Sequence, residues 1–340
     1  MSPPAATLLT SVAYGRHSVI GGWASRCPWD DGRVSDVMPS DHATSRSVRV
    51  GSVFRPENPP EALADAARVA DEVGLDELWL WEDCFLHGGL TAAAVALANS
   101  TRLVVGVGVL PAPLRNVAIT AMEIATLERT FPGRLRIGVG HGVQDWMGQV
   151  GARVASPLTL LREYTTALSA LLRGEAVTVS GRYVTLSGVQ LDWPPTTNVD
   201  LLLAATGPKT LELSGELAAG TVITSRTSPD ALRNAVAVTR RSTDAEAHQV
   251  IAYVLCAVDD DAHRRTQQEI EDGETHGETA DFDDLVVHGP PERIAAGAHR
   301  WIDAGADTIV LQPPVGSDAT EFIRVIGTQV QPLIRSSIPQ

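Results

Sequence analysis

Four short stretches carry the residue types that could do chemistry. In "WEDCFLHGG" (81–89), Glu82 and Asp83 directly follow an apolar run. Neighbouring strand residues point to opposite faces, so one carboxylate can act as acid, base or hydrogen-bond acceptor while the other packs outward. Both could equally be loop or helix caps, and Cys84 beside them reads first as a small core residue. In "GVGHGVQDWMGQVG" (138–151), His141 stands between two glycines, so its neighbours give it little cover, and its ring titrates near neutral pH. Gln144, Asp145 and Trp146 add polar and aromatic surface suited to a ligand wall. In "AATGPKTLELSG" (204–215), a Gly-Pro pair opens a helix and is followed by Lys209, the only lysine of the chain, and by Thr210. A helix start offers unpaired N–H groups, here those of Lys209 and Thr210, at the positive end of the helix dipole. An anion such as phosphate is favoured there. An ordinary Pro-initiated helix with a solvated lysine fits the same letters. In "GVGVLPAPLRN" (106–116), Gly106 and Gly108 permit close approach to the backbone or a tight corner, and Arg115 could pair with an anion.

Other chemistries find little support. There is no H-E-x-x-H and no run of His, Asp and Glu at ligand spacing, which argues against a metal site. The Gly-x-Gly pairs at 106–108 and 138–142 lack the full G-x-G-x-x-G spacing, and no G-x-x-x-x-G-K-[ST] occurs, so dinucleotide-fold and P-loop readings are weak.

The candidate residues all lie at the ends of apolar runs, which raises the question of what holds those ends together. Eight such runs occur, at 48–54, 77–81, 102–110, 134–140, 199–205, 220–225, 248–258 and 307–314. Amphipathic segments with helix signals alternate with them, such as Pro59 or Pro60 at one start and Gly74 at the stop, or Ser156-Pro157 and Gly174. The runs are continuously apolar, as strands buried on both faces of a parallel sheet are. Eight βα units predict an α/β fold, a (β/α)8 TIM barrel, with a doubly wound open sheet as the alternative. Residues 174–198 break the rhythm and read as a small β insertion after the fourth helix. In a barrel the chemistry gathers at the C-terminal strand ends, where these candidates sit.

Two parts of the chain are distinguished: 1–47, rich in Ser, Pro, Gly, Asp and Arg without periodicity, and 48–335, the barrel. The first is expected to be a poorly ordered extension or the product of a misassigned start, with Met38 as an alternative start. A net charge of −14 and the lack of any Lys/Arg-rich run argue against nucleic acid or an anionic membrane as partner and favour a small organic ligand. Cys27, Cys84 and Cys256 lie far apart, and neither a signal peptide nor a run long enough to span a bilayer stands out, so a cytoplasmic protein is expected.

Over 48–335 the chain also resembles the bacterial-luciferase-like flavin-dependent oxidoreductases, most of all the branch using the deazaflavin coenzyme F420, which includes methylenetetrahydromethanopterin reductase. The resemblance is carried by "GVGVLPAPLRNVAITAMEIATLERTFPGRLRIGVGHGVQDWMGQVG", "AATGPKTLELSGELAAG" and "GPPERIAAGAHRWIDAGADTIVLQPP". It implies that Gly207, Lys209 and Thr210 hold the coenzyme phosphate and that Gly108-Val109 is a non-prolyl cis peptide behind the ring. It places His141 at a polar catalytic or substrate-contacting position, and Asp83 at the acidic member of the family's Asp-His pair. Cys84, Trp146, Thr224 and Arg226 would line the substrate pocket. Cys84 stands where that pair has histidine, which counts against a sugar-phosphate dehydrogenase mechanism. The implied activity is hydride transfer between F420 and a small organic substrate by a homodimer. The alternatives are an FMN-dependent monooxygenase that uses oxygen and a separate flavin reductase, or a barrel that binds flavin without turnover.

Overall fold

The computed structural model describes residues 48–241, 248–272 and 281–336, and the expected N-terminal extension (1–47) lies outside them. The chain alternates strand and helix as its hydrophobic pattern requires. β1 (Arg49–Val53) and α1 (Leu63–Glu72) are followed by β2 (Glu77–Leu80) and α2 (Gly89–Ala98), then by β3 (Val104–Pro111) and α3 (Val117–Thr130). Asn116 caps α3 by accepting the N–H of Ala118 at 2.9 Å, which fixes its start one residue after the cap. β4 (Leu135–Gly140) leads to a short α4 (Gln144–Gln149) and to α5 (Pro157–Leu172), the fourth of the helices expected from sequence. The insertion that follows is an antiparallel hairpin of β5 (Val177–Ser180) and β6 (Thr185–Val189). The Glu163 carboxylate on α5 holds its turn by accepting the N–H groups of Arg182, Tyr183 and Val184 at 2.8–3.0 Å.

The second half repeats the unit with β7 (Leu201–Ala204), α6 (Pro208–Leu217), β8 (Gly220–Ile223), α7 (Pro229–Thr239), β9 (Gln249–Ala257) and α8 (Asp260–Asp272). It ends with β10 (Val286–His288), α9 (Pro291–Asp303), β11 (Thr308–Gln312), α10 (Ala319–Val325) and α11 (Gln331–Ser336). Strands β1, β2, β3, β4, β7, β8, β9 and β11 pair in parallel, and β11 pairs with β1, so the sheet closes into an eight-stranded TIM barrel rather than an open sheet. Two elements were not foreseen. β10 pairs with the C-terminal part of β9, and α4 occupies a segment read as loop.

The barrel axis is filled in layers. At its N-terminal end the fully buried Glu77 carboxylate accepts from Arg136 (2.6 Å), from the Trp79 indole (2.8 Å) and from Arg49 (3.2 Å), while Arg136 also binds Gln249. A buried charge is tolerable only when paired and hydrogen-bonded in this way. Above it the Trp79 ring lies across β3, with Val53, Leu202, Val222, Ile251 and Val310 completing an apolar plug. Gly106 is needed there, because a Cβ would lie 2.4 Å from the Trp79 ring carbons.

Candidate active site

Above the plug, at the C-terminal strand ends, opens a cavity of about 620 Å³. One wall is made by a break in the β3–β4 ladder. Val107 pairs with Ile137 and Leu110 with Val139, so β3 carries one extra residue at Gly108–Val109, and the peptide between those two is cis. The bulge turns Val109 across β4, where only glycine leaves room. A Cβ at Gly138 would meet Val109 Cγ1 at 2.5 Å, and one at Gly140 would meet Cγ2 at 2.8 Å. Val109 thus forms an apolar ledge propped on two backbones. A second non-prolyl cis peptide joins Cys84 to Phe85 in the loop after β2.

Asp83, Gly108, Val109, His141, Trp146 and Thr224 line this cavity together, whereas Cys84 and Arg226 are not among the lining residues. Arg226 takes a left-handed backbone conformation (φ 68°) and donates to the Glu269 carbonyl of α8 at 2.5 Å. Glu82 and Asp83 both lie beyond the end of β2 and both line the cavity, but they are partnered differently. Glu82 binds Arg115 through both oxygens (2.9 and 2.6 Å) and accepts the Gly89 N–H at 2.6 Å, which anchors the start of α2. Arg115 also binds Glu123 at 2.9 Å, so its charge is spent within the fold and not on an external anion.

Among the described residues the Asp83 carboxylate has no such partner. Burial, with a smaller contribution from the nearby Glu57 carboxylate, pushes its carboxyl up to about 6, against the opposing pull of Arg55. Arg55 is itself buried and already bound to Glu57 (2.9 Å), Glu269 (2.9 Å) and the Pro313 carbonyl (3.1 Å). Burial lowers the His141 imidazole below its ordinary value, and its Nε2 lies 3.4 Å from Thr210 Oγ1. That contact joins the cavity to the start of α6, where Gly207 is the N-cap, no side chain caps the helix and Lys209 is exposed. The Thr210 N–H, expected to be free, donates to the Gly207 carbonyl at 3.0 Å, because the first turn is tightened. The Lys209 N–H has no such backbone partner among the described residues.

A cofactor with a flat ring and a phosphate fits this arrangement. The Val109 ledge offers a ring face, and the space a Gly207 side chain would fill is open, with nothing within 4 Å of a Cβ built there. Among the described residues no three His, Cys, Asp or Glu side chains gather as a metal site.

Several site residues escaped sequence reasoning. Tyr253 projects from the middle of β9 and Gln312 from the end of β11 into the same cavity, alongside Trp81 after β2. The only available signal was a lone tyrosine in "HQVIAYVLCAV" and a glutamine closing "TIVLQ", and both read as ordinary strand residues.

Residues 38–308 match the Luciferase-like monooxygenase family. The chain belongs to that family. It is similar to 5,10-methylenetetrahydromethanopterin reductase of Methanolobus tindarius, with 26% identity covering 82% of this chain and 98% of the relative. It is also similar to F420-dependent glucose-6-phosphate dehydrogenase of Kineococcus radiotolerans, with 28% identity over 81% and 94% of the two chains. Among solved structures, the coenzyme F420-dependent tetrahydromethanopterin reductase of Methanopyrus kandleri superposes with a TM-score of 0.75 at 21% identity, covering 84% of this chain and 99% of that one. That structural likeness shows the barrel fold.

Proposed function

We propose that this protein is an oxidoreductase that binds coenzyme F420 and transfers a hydride between it and a small organic substrate. The observation that carries the reading is one cavity in which the Val109 ledge and the ionisable pair Asp83 and His141 sit beside the uncapped start of α6. Its likeness, over 81% of the chain, to an enzyme named as an F420-dependent glucose-6-phosphate dehydrogenase supports the choice of coenzyme. Gly108 and Val109 would back the ring, and Gly207, Lys209 and Thr210 would hold the phosphate. When bound, the coenzyme supplies a two-electron hydride donor or acceptor.

The chain's own residues supply proton handling and water exclusion. With its carboxyl near 6, Asp83 holds a proton at mildly acid pH and can accept one above it, the poise expected of a general acid or base at a substrate oxygen. His141, neutral at pH 7, donates or accepts one hydrogen bond at the ring nitrogen that faces Thr210. Trp79 and Trp81 seal the inner end against water. Thr224 and Trp146 contribute to the outer wall. A homodimer completes the reading, and the exposed apolar Val95, Ile119 and Met122 on α2 and α3 support it. A cytoplasmic location accords with the unpaired thiols Cys84 and Cys256.

A second reading, an FMN-dependent monooxygenase supplied by a separate reductase, draws support from the family's description as monooxygenases. The first experiment is equilibrium binding of the purified chain to oxidised F420 and, separately, to FMN, followed by fluorescence. Tight F420 and weak FMN binding is expected. The reverse order would overturn the deazaflavin reading in favour of the monooxygenase, and binding of neither would remove both.

A further inference from the structure

The cavity leaves one carboxylate dependent on whatever fills it. Asp83 lines the cavity with the Val109 ledge, and among the described residues no lysine or arginine lines it. The groups that face Asp83 from the elements packed around it are already engaged. After β1, Arg55 gives its donors to Glu57, to Glu269 of α8 and to the Pro313 carbonyl. Beside Asp83, Glu82 holds Arg115, and burial together with the two neighbouring carboxylates keeps Cys84 a neutral thiol. From β9, Tyr253 accepts the Trp81 indole N–H, and burial keeps its phenol neutral. His141, at the end of β4, is the other titratable group of the cavity wall. Glu57, Glu82 and Glu269 thus outnumber the two guanidiniums they hold, and the surroundings of Asp83 keep an excess of negative charge.

A carboxylate in that position stays ionised only through the solvent that reaches it from the cavity. Burial is the main reason its carboxyl lies at about 6, with Glu57 adding to the rise and Arg55 opposing it. The space beside it is about 620 Å³, and its inner wall is aromatic, with Trp81 and Tyr253 edge to face at 5.9 Å. A flat ring seated on Val109 displaces solvent from this space and offers an apolar face in its place. The charged form of Asp83 then loses solvation while the neutral acid loses little. A phosphate at the neighbouring start of α6 adds a further negative charge, so both effects act in one direction.

We propose that coenzyme binding loads Asp83 with a proton taken from solvent, so that docking of the ring and protonation of this carboxyl are one coupled step. The carboxylate becomes a carboxylic acid, solvent gives up one proton, and nothing is oxidised or reduced. The inference deepens the hydride-transfer reading and rests on it for the chemistry that follows. A substrate entering after the coenzyme meets an acid already carrying its proton, which suits hydride delivery to the substrate with proton transfer to its oxygen. The opposite direction requires Asp83 to lose that proton first. Linkage fixes the sign of the pH dependence. The bound form holds the proton more tightly than the free form, so affinity is full below about 6 and falls as pH climbs from there toward the bound value.

The test is calorimetric titration of the full chain with oxidised F420 at pH 5 and pH 7, each in paired buffers of different ionisation heat, which counts the protons exchanged on binding. At pH 7 the free carboxyl, at about 6, is ionised in about nine molecules of ten, so uptake of close to one proton per coenzyme is expected, against almost none at pH 5. The dissociation constant should rise about tenfold between pH 5 and pH 7. Any proton exchanged by the coenzyme itself is the same in Asp83→Asn, so the wild-type value minus the variant value counts the Asp83 proton alone. Glu57→Gln, which removes a like charge, should move the onset of uptake to lower pH, an independent check should the asparagine variant misfold. Proton release, the mark of a ring N–H donating to the carboxylate, would overturn the proposal and leave the F420 reading intact. Equal uptake by wild type and Asp83→Asn, which places the proton on His141, would do the same. If FMN binds in place of F420 with the same Asp83-dependent uptake, the F420 reading fails and this one stands; binding of neither removes both.

Discussion

Replacing Asp83 by Asn should make the protein more stable at alkaline pH. Its carboxyl lies at about 6 in the fold, against 3.8 for the ordinary side chain, chiefly because burial penalises the charge and secondarily because Glu57 is close. The folded state therefore binds the Asp83 proton more tightly than the unfolded chain does. The favourable contribution is complete below about pH 4, declines as pH rises toward 6, and above that the ionised group costs roughly 2–3 kcal/mol. Asparagine is close in shape and never ionises, so Asp83→Asn should exceed the wild type in urea stability by about that amount at pH 8. The gap should narrow by roughly 1–2 kcal/mol at pH 5, where the unfolded wild-type residue is still largely ionised. Glu57→Gln in the wild-type background should reduce the pH dependence, since it removes the like charge named above. Urea titrations at pH 5, 6, 7 and 8 measure both effects. A constant difference between Asp83→Asn and the wild type across that range would refute the placement of Asp83 as a partly buried carboxyl with no hydrogen-bond partner among the described residues.

Two further perturbations test the frame and the anchor. Gly106→Ala drives a Cβ to 2.4 Å from the fully buried Trp79 ring, whose indole is tied to Glu77, so stability should fall by roughly 1–3 kcal/mol or more, read as a lower thermal midpoint. Lys209→Ala should weaken F420 binding several-fold through loss of roughly 1 kcal/mol of charge-assisted contact, with the loss shrinking at high salt; unchanged affinity would remove Lys209 from the phosphate site.

Much of this was legible in the letters, and the reason differs by element. Continuous apolar runs such as "RLVVGVGVL" announce strands buried on both faces, and Pro or Gly at the helix boundaries fixes the count of units. β10 escaped because a three-residue strand, Val286–His288, carries no periodicity, and α4 because "QDWMGQ" sits among glycines that read as loop. The site divides in the same way. Asp83 and His141 are conspicuous at strand ends, but the roles of Glu82 and Arg115 depend on their meeting across 33 positions, which spacing along the chain does not reveal. Tyr253 and Gln312 are the harder case. A polar residue within an apolar strand signals nothing until the barrel closes and shows which face looks onto the axis.

The Glu77, Arg136 and Trp79 assembly at the N-terminal end of the axis does more than stabilise the barrel. It is a stopper, and among the described residues the cavity lies at the other, C-terminal end of the barrel. Two molecules that meet inside must pass through that end in sequence, and the one lodged deeper waits for the other to leave. Steady-state kinetics should therefore follow a compulsory order in which the ligand lodged deeper binds first and leaves last, and initial-rate and product-inhibition patterns check it.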